Sequence, residues 1–337
     1  MDRKERSLNA GKGFYAMERY GYGADVGGTS VKLGLFSDQG RLVDKWEIPT
    51  DRGDGGSRIL PDIAGAIAQN MAAHGLEPTS LLGIGVGVPG PVSDLRVVHH
   101  CVNLNWDTDV DVAGELSALT GLPVWAGNDA NLAALGEMWQ GGGKGHRNVA
   151  LLTLGTGVGG GIIVDGKIIS GGNGAAGEVV HIPLNPNETV PCPCGNYGCL
   201  EQYASATGVV RMAREELERS DEPSALRQCR PLTAKDVWDC HGRGDALAAR
   251  VVERFASCLG RGAAAVACVA DPDVFVLGGG MSRAGQVVAD VTVPHYRKHA
   301  FHASKHTPFV LAQLGNDAGI YGCMRLVLDN ISPKRPD

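Results

Sequence analysis

Apolar positions along the chain follow two rhythms, and the places where one gives way to the other mark out the elements. The stretch Gly23-Ala24-Asp25-Val26-Gly27-Gly28-Thr29-Ser30-Val31-Lys32-Leu33-Gly34-Leu35-Phe36 reads as strand, glycine turn and strand, and runs on to a second turn at Ser37-Asp38-Gln39-Gly40. The signal recurs later. Apolar residues 149–153 lead into Leu154-Gly155-Thr156-Gly157-Val158-Gly159-Gly160-Gly161, then Ile162-Ile163-Val164, an Asp165-Gly166 hairpin turn and Lys167-Ile168-Ile169. The two copies start about 125 residues apart, which predicts two related halves whose hairpin tips face a shared cleft.

Between them the period lengthens. Ile63, Ile67 and Met71 share one face of a helix over 59–73, closed by Gly75. A buried strand over 82–88 ends in Pro89-Gly90-Pro91, and a helix over 112–119 stops at Gly121. A short strand over 123–126 leads into Asn128-Asp129 and a helix over 130–139. Late in the chain a helix over 248–270 runs into a strand over 274–277, which ends in Gly278-Gly279-Gly280. Alternation of this kind predicts an α/β fold with a cleft between two lobes.

The 337 residues suffice for two domains, and 43% apolar with 49 glycines suits an α/β protein rich in backbone-lined turns. A net charge of −6 argues against a general nucleic-acid or membrane-surface binder. No apolar run approaches the roughly 18–20 residues that cross a bilayer. The first residues are polar and lack a secretory core, so residues 1–19 read as a leader or upstream-start extension. Of nine cysteines, Cys192, Cys194 and Cys199 crowd into eight positions. Without an export signal this predicts a reduced, cytoplasmic protein with one metal cluster.

The hairpin tips suggest phosphate chemistry. A turn without side chains lets backbone N–H groups approach phosphate oxygens, and Thr29 adds a hydroxyl. Asp25 is placed to hold a hydrated Mg²⁺. The candidate nucleotide contacts are Asp25, Gly27, Gly28, Thr29 and Lys32 in the first half, Thr156 and Gly157 in the second, and Gly278, Gly279 and Gly280. The ordinary alternative for each loop is a plain turn, and the repetition of the loops favours a clamp on a triphosphate. Asp129 can accept a proton from an attacking hydroxyl, yet on spacing alone it is better explained as the N-cap of the helix that follows. Asn128 and Asn131 supply more hydrogen-bonding groups than a cap needs.

The sharpest local signal is Gly177-Glu178-Val179-Val180-His181 followed by Cys192-Pro193-Cys194-Gly195-Asn196-Tyr197-Gly198-Cys199-Leu200-Glu201. Three thiolates and an imidazole suit a structural, tetrahedral Zn²⁺ at His181, Cys192, Cys194 and Cys199. Free cysteines or a redox pair are the competing reading.

These motifs resemble those of the ROK sugar kinases (repressor, open reading frame, kinase), most of all the bacterial glucokinases, over residues about 20–330. The resemblance rests on Asp25–Thr29, Gly87-Val88-Pro89-Gly90-Pro91, Asn103-Leu104, Asn128-Asp129, the Thr156 loop and the Cys-x-Cys-Gly-x-x-Gly-Cys-x-Glu signature. One departure is Val180, where the family usually has glycine between the Glu and the His. The resemblance implies a two-lobed, actin-like, hexokinase-type ATPase fold. It gives a small lobe over 20–126, to which a C-terminal helix at about 317–332 returns, and a large lobe over 127–316 carrying the zinc loop. It implies ATP-dependent phosphorylation of glucose at the 6-hydroxyl, with Asp129 as base and Mg²⁺ accompanying ATP. Gly90, Asn103, Asn128, Asp129, Glu178, His181 and Glu201 would contact the sugar, and the assembly would be a homodimer or dimer of dimers. Another hexose (fructose, mannose, allose or an N-acetylated amino sugar such as N-acetylmannosamine) or polyphosphate as donor stays open. A sugar-sensing repressor is disfavoured, because about 22 residues before the first hairpin are too few for a helix-turn-helix domain.

Overall fold

The computed structural model describes residues 18–331, so most of the segment read as a leader, and position 332, lie outside the described residues. The first half runs β1 (Tyr20–Val26), β2 (Ser30–Ser37), β3 (Leu42–Pro49), α1 (Ile59–His74) and β4 (Leu81–Val88). A two-stranded ribbon, β5 (Val92–Ser93) and β6 (Val97–Val98), precedes α2 (Val112–Thr120) and β7 (Val124–Asn128). The second half begins with α3 (Asp129–Gln140), β8 (Val149–Leu154), β9 (Val158–Val164) and β10 (Lys167–Ile168). It continues with α4 (Glu201–Ala204), α5 (Ala206–Arg219), α6 (Ala234–Gly242), α7 (Ala246–Ala270), β11 (Val274–Gly278), α8 (Val287–His299) and β12 (Phe309–Leu311), and α9 (Ala318–Ile331) closes the chain.

The first sheet is ordered β3-β2-β1-β4-β7 and the second β10-β9-β8-β11-β12. In each, the first three strands pair antiparallel and the last two join parallel. The two glycine turns are therefore the same turn in two lobes of one topology. The expected α/β fold and its duplicated plan are what the chain adopts.

Two helices hold the lobes together by unusually close approach. A Cβ added at Gly85 of β4 would lie 1.9 Å from the Cys323 carbonyl oxygen, and one at Gly23 of β1 2.3 Å from that of Ile320, so α9 lies flat on the first sheet. On the second sheet, a Cβ at Gly161 of β9 would meet the Ala134 Cβ of α3 at 2.7 Å. The two helices then cross: a Cβ at Gly322 would lie 1.7 Å from the Leu132 carbonyl oxygen, and one at Gly136 2.2 Å from that of Ala318. Only side-chain-free positions permit backbones this close.

Glu137 of α3 secures the segment that leads from β12 to α9. It is 1% exposed, and its carboxylate accepts the N–H groups of Gly142 (2.8 Å), Gln313 (3.0 Å) and Leu314 (2.8 Å). A buried carboxylate is tolerated when several donors replace its water, as here. The largest core cluster lies in the second lobe around α7, whose Asp245 cap accepts the Ala248 N–H.

Candidate active site

In the first lobe β1 carries Asp25 to within two residues of Gly27, where the turn opens. Its carboxyl fits between two glycines: a Cβ at Gly319 would lie 2.5 Å from Oδ2 and one at Gly87 3.6 Å from Oδ1. Burial raises its pKa, and Lys32, its register partner on β2, opposes the rise. Lys32 itself donates to the Asn316 carbonyl at the base of α9. The turn Gly27-Gly28-Thr29 is held from behind by Thr50, whose hydroxyl donates to the Gly27 carbonyl (2.7 Å) and whose N–H donates to that of Thr29 (3.0 Å). Asn103 sits exposed on a short turn, its carbonyl 3.5 Å from where a Gly28 Cβ would be.

Asp129 opens α3, but it is not the cap. Asn128 fills that role: its Oδ1 accepts the Asn131 N–H (3.1 Å), while its Nδ2 donates to the Gly90 carbonyl (3.2 Å). The simplest explanation of Asp129 thus falls to its neighbour. Asp129 Oδ1 accepts the Ala130 N–H at 2.8 Å, and among the described residues Oδ2 has no hydrogen-bond partner. Burial pushes the carboxyl up to about 6; the negative charges of Asp25 and Glu178 add to the rise, and the Ala130 N–H works against it. A carboxyl poised near neutrality, with one free oxygen, is suited to general-base work.

Within the same half, the Glu178 to Glu201 segment comes close enough for the Glu178 charge to act on Asp129. Val180 is 2% exposed and buried in the second core, in a one-turn 3-10 helix that needs no left-handed backbone, so the departure from glycine is absorbed by packing. His181 turns Nδ1 towards the Cys192 Sγ (3.8 Å) and Nε2 towards the Glu178 carboxylate (3.9 Å). Cys194 and Cys199 place their sulfurs 3.7 Å apart, and the donor atoms of His181, Cys192, Cys194 and Cys199 all lie within 4.8 Å of one another. A tetrahedron with metal–sulfur bonds of about 2.3 Å has edges of about 3.8 Å. The separations fit a four-ligand metal site. Glu201 lies behind the second glycine turn: its Oε2 accepts the Val158 N–H (3.0 Å) and its Oε1 is 4.0 Å from the Cys192 Sγ.

That turn, with exposed Thr156 and Gly157 at its tip, is pinned by the start of α5. Thr207 donates its hydroxyl to the Thr156 carbonyl (2.9 Å), and the Ala206 N–H reaches that of Gly155 (2.8 Å). Beside it, Gly278 pairs with Thr153 across β11 and β8. Gly279 takes φ 81 and ψ 179, with space for a Cβ closed by the Leu154 backbone at 2.6 Å. Glycine is the residue for that conformation. Gly280 faces open space. The third glycine run therefore adjoins the second glycine turn through Thr153 and Leu154. Thr50, Thr207 and Glu137 escaped the sequence reading, since each acts on a partner far away in the chain.

The model of the ROK family matches residues 21–330. The chain belongs to the ROK family. It is 43% identical over 310 residues to a glucokinase of Halalkalibacterium halodurans, covering 90% of this chain and 94% of that protein. Among solved structures, a ROK glucokinase from Streptomyces griseus, in complex with glucose and AMPPNP, superposes with TM-score 0.71 at 33% identity over 91% of this chain and 98% of the other. A ROK hexokinase from Thermus thermophilus gives TM-score 0.76 at 32% identity, covering 90% and 96%. The ROK chain described here thus has the two-lobed, actin-like ATPase fold that its motifs imply, and no helix among the described residues is long and apolar enough to cross a membrane.

Proposed function

We propose that this ROK protein is an ATP-dependent glucokinase, transferring the γ-phosphoryl group to the 6-hydroxyl of glucose. The observation that carries the reading is Asp129: half-buried, raised to about 6, with one oxygen free of hydrogen bonds and near enough to Asp25 and Glu178 to feel both charges. Asp129 orients the hydroxyl and accepts its proton as the oxygen attacks phosphorus and the bond to the ADP oxygen breaks. Backbone N–H groups at Gly27, Gly28, Thr156 and Gly157 offset phosphate charge, and Gly278, Gly279 and Gly280 give the nucleoside a bare surface. Asp25 is suited to hold the hydrated Mg²⁺ that travels with ATP, which supplies further charge neutralisation. Gly90, Asn103, Asn128, Glu178 and His181 form the sugar side, and Glu201 steadies the loop opposite.

A structural zinc would be held by His181 Nδ1 and the sulfurs of Cys192, Cys194 and Cys199, and it would lend the loop rigidity rather than chemistry. With Nδ1 committed, His181 keeps Nε2 for the sugar and for Glu178. A thiolate site of this kind, and nine unpaired cysteines, fit a cytoplasmic setting.

The test is a coupled assay against a hexose panel (glucose, fructose, mannose, allose, N-acetylmannosamine), with ATP and polyphosphate compared, and light scattering on the same preparation for the homodimer or dimer of dimers. Glucose with ATP should give the highest kcat/KM. Failure to phosphorylate any sugar would sink the reading.

A further inference from the structure

Asn131 carries an observation that catalysis by Asp129 does not use. It is 6% exposed, and its Oδ1 is fully buried without a hydrogen-bond donor. Buried acceptors nearly always have a partner, so an orphan invites an explanation. The side chain leaves α3 two residues after Asp129 and ends against Gly177, where an added Cβ would lie 3.1 Å from Oδ1. Gly177 has φ +96 and is the last residue before Glu178. It is also the foot of a glycine-rich strap, residues 170–177, with Gly171 (φ +74) and Gly174 (φ +69) as further left-handed joints. The strap crosses the cleft: a Cβ at Gly174 would lie 3.4 Å from both the Pro91 Cβ and the Val92 carbonyl oxygen of the first lobe, just past Gly90. The strap is tied across itself by the Ala176 N–H donating to the Ser170 carbonyl (3.1 Å), while at its foot the Glu178 N–H reaches the Ala175 carbonyl only at 3.4 Å.

We propose that Asn131 is a positioning residue for sugar binding. Its carboxamide oxygen is an acceptor kept for an N–H of the Gly177–Glu178 segment, engaged when bound sugar settles the strap. The catalytic helix and the sugar loop are thereby fixed in register: Asp129 sits at one end of the connection and Glu178 and His181 at the other. The inference rests on the kinase reading and adds to it. Asn131 touches neither reacting atom.

The decisive experiment compares wild type with Asn131→Ala by thermal melting with and without glucose, and by steady-state kinetics. An acceptor idle in the empty fold contributes nothing there, so the unliganded melting temperature should stay level or rise. The glucose-induced rise should shrink, and the KM for glucose should increase about 5–10-fold, the worth of one neutral hydrogen bond, with the KM for ATP within about twofold of wild type. Gly177→Ala, which crowds the same oxygen, should raise the glucose KM as well, and the double variant should show less than the sum of the two effects. A drop in unliganded melting temperature with glucose KM unchanged would make Asn131 a packing residue and overturn the proposal. Equal rises in both KM values, or additive single effects, would overturn it too. A wild type that responds to no sugar would instead bring down the kinase reading, and this inference with it.

Discussion

Replacing Asp129 with Asn is the sharpest test of the site, because it should improve the fold while ruining the enzyme. Asn keeps the acceptor for the Ala130 N–H and the shape of the side chain, and removes only the charge. A carboxyl raised from 3.8 to about 6 is harder to ionise in the fold than in the unfolded chain by about 3 kcal/mol. Part of Asp129 stays open to the cleft, which brings a realistic figure to about 1–3 kcal/mol. The sign follows from protons bound: between pH 3.8 and about 6 the native state holds the proton more tightly, so wild type loses stability as pH rises through that window. The variant should therefore melt alongside wild type near pH 4 and roughly 2–5 °C above it at pH 7.5. Turnover should fall by about two to four orders of magnitude with glucose binding retained, and wild-type kcat/KM should show an acid limb near pH 6. Calorimetry across pH, paired with the coupled assay, reads both halves. Near-normal turnover, or no gain in stability above pH 6, would refute the assignment of charge and role together.

Chelating the proposed zinc, or Cys199→Ser, should lower bound metal from one equivalent to none, raise the glucose KM and lower the melting temperature, as read by elemental analysis and calorimetry. Thr207→Val removes the hydroxyl that pins Thr156 and should raise the KM for ATP about 2–10-fold, leaving the unliganded melting temperature within about 2 °C. Gly322→Ala puts a Cβ 1.7 Å from the Leu132 carbonyl oxygen, so it should destabilise by about 3 kcal/mol or more in chemical denaturation. A milder loss would mean the helix crossing is looser than described.

What could be read from sequence was local. The cluster of one histidine and three cysteines spans His181 to Cys199, and the two hairpins announce themselves by glycines between apolar strands, so short-range pattern sufficed to find both. The cap on α3 was misplaced by one position because Asn and Asp cap equally well. Strand β7 runs through Asn128, and that register gives the cap to Asn128 and leaves Asp129 free. Glu137 had little local signature: Gly142 is five residues on, but its other partners, Gln313 and Leu314, are 176 and 177 residues away. The glycines at 136 and 322 likewise read as weak helix formers until the two helices are laid across each other.

That crossing has a mechanical consequence. Leu132 meets Gly322 there; Asp129 is three residues back along α3, and Gly319, which covers Asp25, three residues back along α9. At a rise of about 1.5 Å per residue, each lies about 4.5 Å along its helix from the contact. The two acidic groups accordingly both sit within about one helical turn of the crossing, so the packing of α3 on α9 sets their spacing. A change that loosens the crossing would move both carboxyls together, although neither belongs to the contact itself.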